Sequence, residues 1–120
     1  MSSLLGVTIE ETETFTKAIK QLQKRFKNIE TDCEEFVQSI QTTKNLGINL
    51  GNGVFKVRIA NSDKKSGKSS GYRLISYLKL IDNKLYLMYI YDKSDFETVS
   101  EKQIDDLIKK TILEKNKVPE

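Results

Sequence analysis

From Gly53 onward the hydrophobic residues change their period, and this switch limits the chain to a fold that joins helices to a sheet. Gly53-Val54-Phe55-Lys56-Val57-Arg58-Ile59-Ala60 alternates, with Phe55, Val57 and Ile59 on one side and Lys56 and Arg58 on the other, the pattern of a strand with one buried face. Two further strands follow, at about 72–80 and 84–91, with Asp82-Asn83 between them as a tight hairpin turn. The third, Lys84-Leu85-Tyr86-Leu87-Met88-Tyr89-Ile90-Tyr91, is apolar on both faces, which suits a central or well-covered position.

Upstream the period is helical. Phe15, Ala18, Ile19, Leu22 and Phe26 share one face of a helix over about 13–27. Cys33, Phe36, Val37 and Ile40 share one face of a second helix, which Thr31 and Glu34 open with the spacing of a capping box. Residues 4–10 read as a short first strand and 44–52 as an Asn/Gly-rich loop. A last helix carries Ile104, Leu107 and Ile108 behind a Ser100/Gln103 capping pair. The expected order is β-α-α-β-β-β-α. This is an α+β fold with two N-terminal helices on a small, twisted, mainly antiparallel sheet, a C-terminal helix, and the helices on one face. A single domain over residues 1–120 is expected, since no linker or repeat divides the chain.

Composition narrows the chemistry. There is no histidine and one cysteine, Cys33, which removes imidazole acid–base catalysis, Ser-His triads and His- or Cys-rich zinc sites. Catalysis is left to Lys, Arg, Tyr, Asp, Glu, Ser or Cys33. Cys33 sits in an apolar stripe and reads as a structural thiol. Gly67-Lys68-Ser69 lacks the glycine five residues earlier that a phosphate-binding P-loop needs, Ser62 standing there, and a strand follows instead of a helix. No apolar run spans a bilayer, and the first residues lack the basic and apolar regions of a signal peptide, so a cytoplasmic location is expected.

Net charge is only +3, but between Gly53 and Lys79 stand seven basic residues (Lys56, Arg58, Lys64, Lys65, Lys68, Arg73 and Lys79) and one acid, Asp63. Such asymmetry points to a polyanionic partner met by the middle of the chain. Lys56 and Arg58 share a strand face, and Arg73 comes opposite or diagonal to them in an antiparallel hairpin. Tyr77 and Lys79 continue the Arg73 side, while Tyr91 and Lys93 close the third strand. A positively charged sheet face beside a tyrosine suits a phosphodiester backbone; the same pattern also describes an ordinary solvated outer face. The segment 61–71, basic and rich in Gly and Ser, reads as a mobile surface loop.

Over about 51–100 these elements in succession resemble the RelE/ParE superfamily, nearest its HigB-like branch: Lys56-Val57-Arg58, a lysine-glycine loop, Gly71-Tyr72-Arg73, then Tyr91-Asp92-Lys93. The resemblance implies the toxin of a type II toxin–antitoxin system, a ribosome-dependent endoribonuclease that cuts mRNA in the A site. It implies a cognate antitoxin, the ribosome and mRNA as partners, no membrane, and a monomeric free toxin. Lys56, Arg58, Arg73, Tyr91 and Lys93 are the expected catalytic group, with Lys64, Lys65, Lys68, Lys79 and Tyr77 as RNA contacts. Well-known RelE members carry an arginine near the last strand and helix; here no arginine follows Arg73, and Lys93 is the residue available for its part.

Attack of an RNA 2′-OH on the adjacent phosphorus fits this set. RNA brings its own nucleophile, so no metal or other cofactor is required. Arginines clamp the phosphate oxygens, Lys56 adds charge or moves a proton, and Tyr91 transfers a proton or stacks on a base. The competing expectation within the same superfamily is a ParE-like toxin that binds DNA gyrase without cutting RNA. A third is a non-catalytic RNA-binding module.

Overall fold

The structure, a computed structural model, describes residues 4, 6–64, 70–95 and 100–115. Its elements run β1 (Thr8–Glu11), α1 (Glu13–Gln23), α2 (Ile29–Ser39), β2 (Ile48–Gly51), β3 (Val54–Ile59), β4 (Tyr72–Lys79), β5 (Lys84–Asp92) and α3 (Glu101–Lys115). The five strands form one sheet in the order β1-β5-β4-β3-β2. Among the described residues only β1 runs parallel to its neighbour, β5; the other pairings are antiparallel. The α+β architecture is the expected one.

Four features differ from the sequence expectation. The Asn/Gly-rich stretch contains an edge strand, β2, paired with β3. α2 begins at Ile29, ahead of the Thr31 cap, because Asp63 supplies the cap from 35 positions away. Its Oδ2 accepts the Asn28 amide at 3.0 Å and its Oδ1 the Asn28 side-chain amide at 3.3 Å, placing a carboxylate at the positive end of the helix. The β4–β5 connection is a 3₁₀ turn, Leu80–Asp82, followed by Asn83 in the left-handed region. Finally, the helices do not share a face.

That last difference divides the core in two. Phe15, Ile19, Leu22 and Ile29 from α1 and the start of α2 pack on Phe55, Ile59, Tyr72, Leu74, Leu85, Leu87 and Ile90. On the opposite face Leu107 of α3 packs with Val54, Ile75, Tyr86, Met88 and Tyr91. β5, lying between β1 and β4, is buried from both sides, which accounts for its continuous apolar run.

Thr12 joins β1 to α1 and fastens both to β5. Its Oγ1 accepts the Phe15 amide at 3.1 Å as the helix N-cap, and the same hydroxyl lies 3.1 Å from the Leu87 carbonyl, to which it donates. The reciprocal Ser100/Gln103 capping box is present at α3 (2.8 and 3.2 Å). Thr12→Ala is expected to lower stability by about 1–2 kcal/mol while Thr12→Ser keeps most of it; urea denaturation of the two variants checks this.

Candidate functional site

Strand register brings the basic residues together. Arg58 on β3 lies opposite Arg73 on β4, and Arg73 opposite Tyr91 on β5. Three side chains therefore form a row across adjacent strands, at spacings of about 5 Å. Tyr91 reaches this face through a β-bulge. Ser76 pairs with Leu87 but Ile75 pairs with Tyr89, so Met88 is an extra residue in β5. Without it, strict alternation would send Tyr91 to the α1/α2 face with Leu85 and Leu87. A bulge of this kind re-aims one side chain by changing the parity of the strand beyond it.

The row deepens as it crosses the sheet. Arg58 is exposed, Arg73 is 5% exposed and Tyr91 2%. Lys56, Arg58, Arg73 and Lys93 line a shallow depression of about 160 Å³, with Ile48 of β2 on its rim. Lys93 is carried there by its backbone, whose amide donates to the Gly71 carbonyl at 3.0 Å. Gly71 must be glycine, since a Cβ would overlap the Ile59 carbonyl.

The electrostatics follow from this packing. Burial, and then the like charge of Arg58, push the Arg73 pKa below its usual value, with Tyr91 and Asp92 acting against them. The guanidinium stays charged, but an anion bound between the two arginines would relieve both costs. Burial raises the Tyr91 pKa, opposed by Arg73, so its phenol is protonated at neutral pH and is suited to donate a proton. Cys33 is half-buried, its thiol pushed up to about 12 by burial and by nearby acids, Asp32 foremost, a poor nucleophile.

The expected RNA contacts are dispersed. The Lys64 ammonium lies 2.7 Å from Asp92 Oδ2 and 5.4 Å from the centre of the Phe26 ring. Tyr77 stacks on Tyr86 at 6.1 Å. Lys79, at the far end of β4 from Arg73, pairs with Asp82 at 2.8 Å. Lys65 and Lys68 lie outside the described residues. The start of the expected mobile loop is held, because Asp32 Oδ2 accepts the Ser62 amide and hydroxyl at 3.0 and 3.1 Å.

Sequence reasoning passed over Asp92, which is 0% exposed and sits between Tyr91 and Lys93. Burial would raise its pKa; the Lys64 ammonium and the Ser94 hydroxyl and amide, all bonded to Oδ2, outweigh this and hold it below the usual range. Its sequence signal was an acid closing an otherwise apolar strand. Ile48 was also missed, its strand hidden in a loop-like composition.

The sequence matches the family described as RelE toxin of the RelE/RelB toxin-antitoxin system over residues 11–116. No curated protein sequence matches the chain. Among solved structures, a double-arginine mutant of E. coli toxin RelE in the free state superposes with a TM-score of 0.52 at 13% identity, covering 91% of this chain and 97% of that one. The isolated E. coli RelE toxin gives 0.44 at 14% identity, covering 87% and 98%. At such identity the first likeness is one of fold.

Asp92 gives a stability prediction. Asp92→Asn leaves the Lys64 charge without its partner and is expected to cost about 3 kcal/mol at neutral pH. A carboxylate with a depressed folded pKa stabilises above its unfolded value, about 3.9, and loses that contribution as pH falls through the folded one. Thermal melts from pH 7 to pH 2 should therefore show a smaller acid-induced loss in the variant than in the wild type.

Proposed function

This chain belongs to the RelE toxin family, and we propose that it is a ribosome-dependent endoribonuclease that cuts mRNA in the A site by attack of a 2′-OH on the adjacent phosphorus. Supporting this above all is the Arg58–Arg73–Tyr91 row with Lys56 and Lys93 beside it. Arg58 and Arg73 take the phosphate oxygens and stabilise the charge that builds on them in the transition state. Lys56 and Lys93 complete the positive lining; Lys93 takes the part that an arginine has in well-known relatives, and Lys56 accepts the 2′-OH proton in its neutral form, reached by passing its own proton to solvent. Tyr91, protonated but with its hydroxyl buried and outside the lining of the depression, donates to the leaving 5′-oxygen once bound RNA opens that end of the row.

The wider surface is read in the same terms. Lys64 anchors the base of the basic loop through Asp92, and Lys65 and Lys68 are its proposed phosphate contacts. Tyr77 and Lys79, at the other end of β4, would meet RNA or ribosome only along an extended path. An antitoxin is the partner the family implies, and the cytoplasm is where mRNA and ribosomes are found; among the described residues no helix is long and apolar enough to cross a membrane. The Lys-x-Arg strand and Tyr-x-Lys segment favour the HigB-like branch, and the free toxin is proposed to be a monomer.

Induced expression in a bacterial host, with primer extension on an abundant message, tests the proposal. Wild type should arrest growth and leave cuts at in-frame codon positions. Arg73→Ala should cut about 10²–10⁴-fold more slowly, the range of a positioned catalytic group. Growth arrest with intact message, together with inhibited supercoiling in vitro, would instead indicate gyrase.

The pH profile tests Tyr91. A donor phenol is active while protonated and fails as pH rises through its pKa, which burial places above the usual value of about 10. Wild-type cleavage should therefore show no alkaline loss up to pH 9, and Tyr91→Phe should be slow throughout. A wild-type rate that climbs between pH 7 and 9, with the climb absent in Tyr91→Phe, is the profile of a group active as its phenolate and would overturn the donor role.

A further inference from the structure

Ile48 is 62% exposed, yet it differs from the other exposed apolar side chains in its surroundings. Leu50 lies further along β2, Leu80 and Ile81 on the β4–β5 turn, and Ile112 and Leu113 near the end of α3, and none of them lines the cationic depression. Ile48 lies opposite Lys56 in the β2–β3 register, so it projects from the same face as Lys56 and Arg58. It shares the depression with Lys56, Arg58, Arg73 and Lys93. The backbone leading into Ile48 is also held from behind. Gly47 has φ +92° and lies so close to β3 that a Cβ there would overlap the Lys56 carbonyl and Val57, which fixes the backbone immediately before Ile48.

Val57 also lines the depression but packs its side chain into the α1/α2 core, so a ligand there must present an anion to four cations and an apolar surface to Ile48. A bare phosphate satisfies only the first demand. A nucleotide satisfies both, with its phosphodiester on the arginines and its base over Ile48. From this juxtaposition we infer that Ile48 is a platform for the nucleobase next to the bound phosphate, and so a binding residue for single-stranded RNA. The inference rests on the RNA-cutting function proposed above and adds to it a contact with the base itself. Bases of every kind have a flat apolar face, so the platform strengthens binding without reading sequence by hydrogen bonds.

Fluorescence anisotropy with two probes tests it: a labelled 2′-O-methyl hexaadenylate, which cannot attack its own backbone, and a fully abasic 2′-O-methyl backbone of the same length. Covering the exposed part of one aliphatic side chain predicts that Ile48→Ser weakens hexaadenylate binding about five- to tenfold. Binding of the abasic backbone should be unchanged, and Ile48→Phe should restore or tighten hexaadenylate binding. Equal losses on both probes, or no loss on either, would overturn the platform while leaving RNA binding intact. Failure of the wild type to bind either probe would overturn the platform as a source of RNA affinity, whereas the cutting function stands or falls on the primer-extension result.

Discussion

One additional residue in β5 sets what each face of the sheet can do. Up to Leu87 the strand sends its odd-numbered side chains to the α1/α2 core; after Met88 it sends Ile90 there instead, and Tyr91 turns to the opposite side. The change of parity acts on everything that follows. Tyr91 joins Arg73 and Arg58, while Asp92 turns to the face of Tyr72 and meets Lys64. A sheet with unbroken alternation would exchange the two, burying a phenol among the α1/α2 apolar residues and placing a carboxylate against the arginines, where it would neutralise their charge. The bulge thus separates acid from base across a single strand.

The separation also explains how a row of like charges persists. Arg58 and Arg73 face each other directly, an arrangement that costs energy on any sheet. Behind the same end of the sheet lie Asp92, Asp63 and Asp32, each bonded to the turn after β3 or to a neighbouring helix. Asp92 pairs with Lys64, Asp63 caps α2 and Asp32 holds Ser62, and none of them lines the cationic depression. Asp92 acts against the lowering of the Arg73 pKa, so part of the cost of the arginine pair is offset through the strand. The site face can therefore remain positive although the whole chain is near neutral.

The sequence revealed those parts of the fold whose causes are local. β3, β4 and β5 were legible because period-two alternation or a continuous apolar run is written within each strand, and α1 because its stripe is complete. α2 was misplaced by two residues because its cap comes from Asp63, beyond any local rule. β2 was invisible because Ile48-Asn49-Leu50-Gly51 has only two apolar residues and turn-forming neighbours. The side taken by α3 could not be read from its stripe, which says that a helix buries one face but not against what. At the site, Lys56, Arg58 and Arg73 were legible as neighbours once the hairpin was recognised. The facing of Tyr91 depends on a bulge for which an all-apolar strand gives no sign, and the engagement of Lys64 depends on Asp92, which charge counting treated as one acid among many.

The parallel pairing of β1 with β5 has a consequence in time. Thr12 meets the carbonyl of Leu87 across 75 positions of sequence, so the N-terminal strand and the helix it leads into find their anchor only when the last strand exists. Contacts of such long range close late, because the entropy of the intervening loop must be overcome before they contribute. The row of Arg58, Arg73 and Tyr91 likewise needs three strands, the last of them β5. A growing chain therefore holds α1, α2 and its arginines before it holds a sheet that can align them.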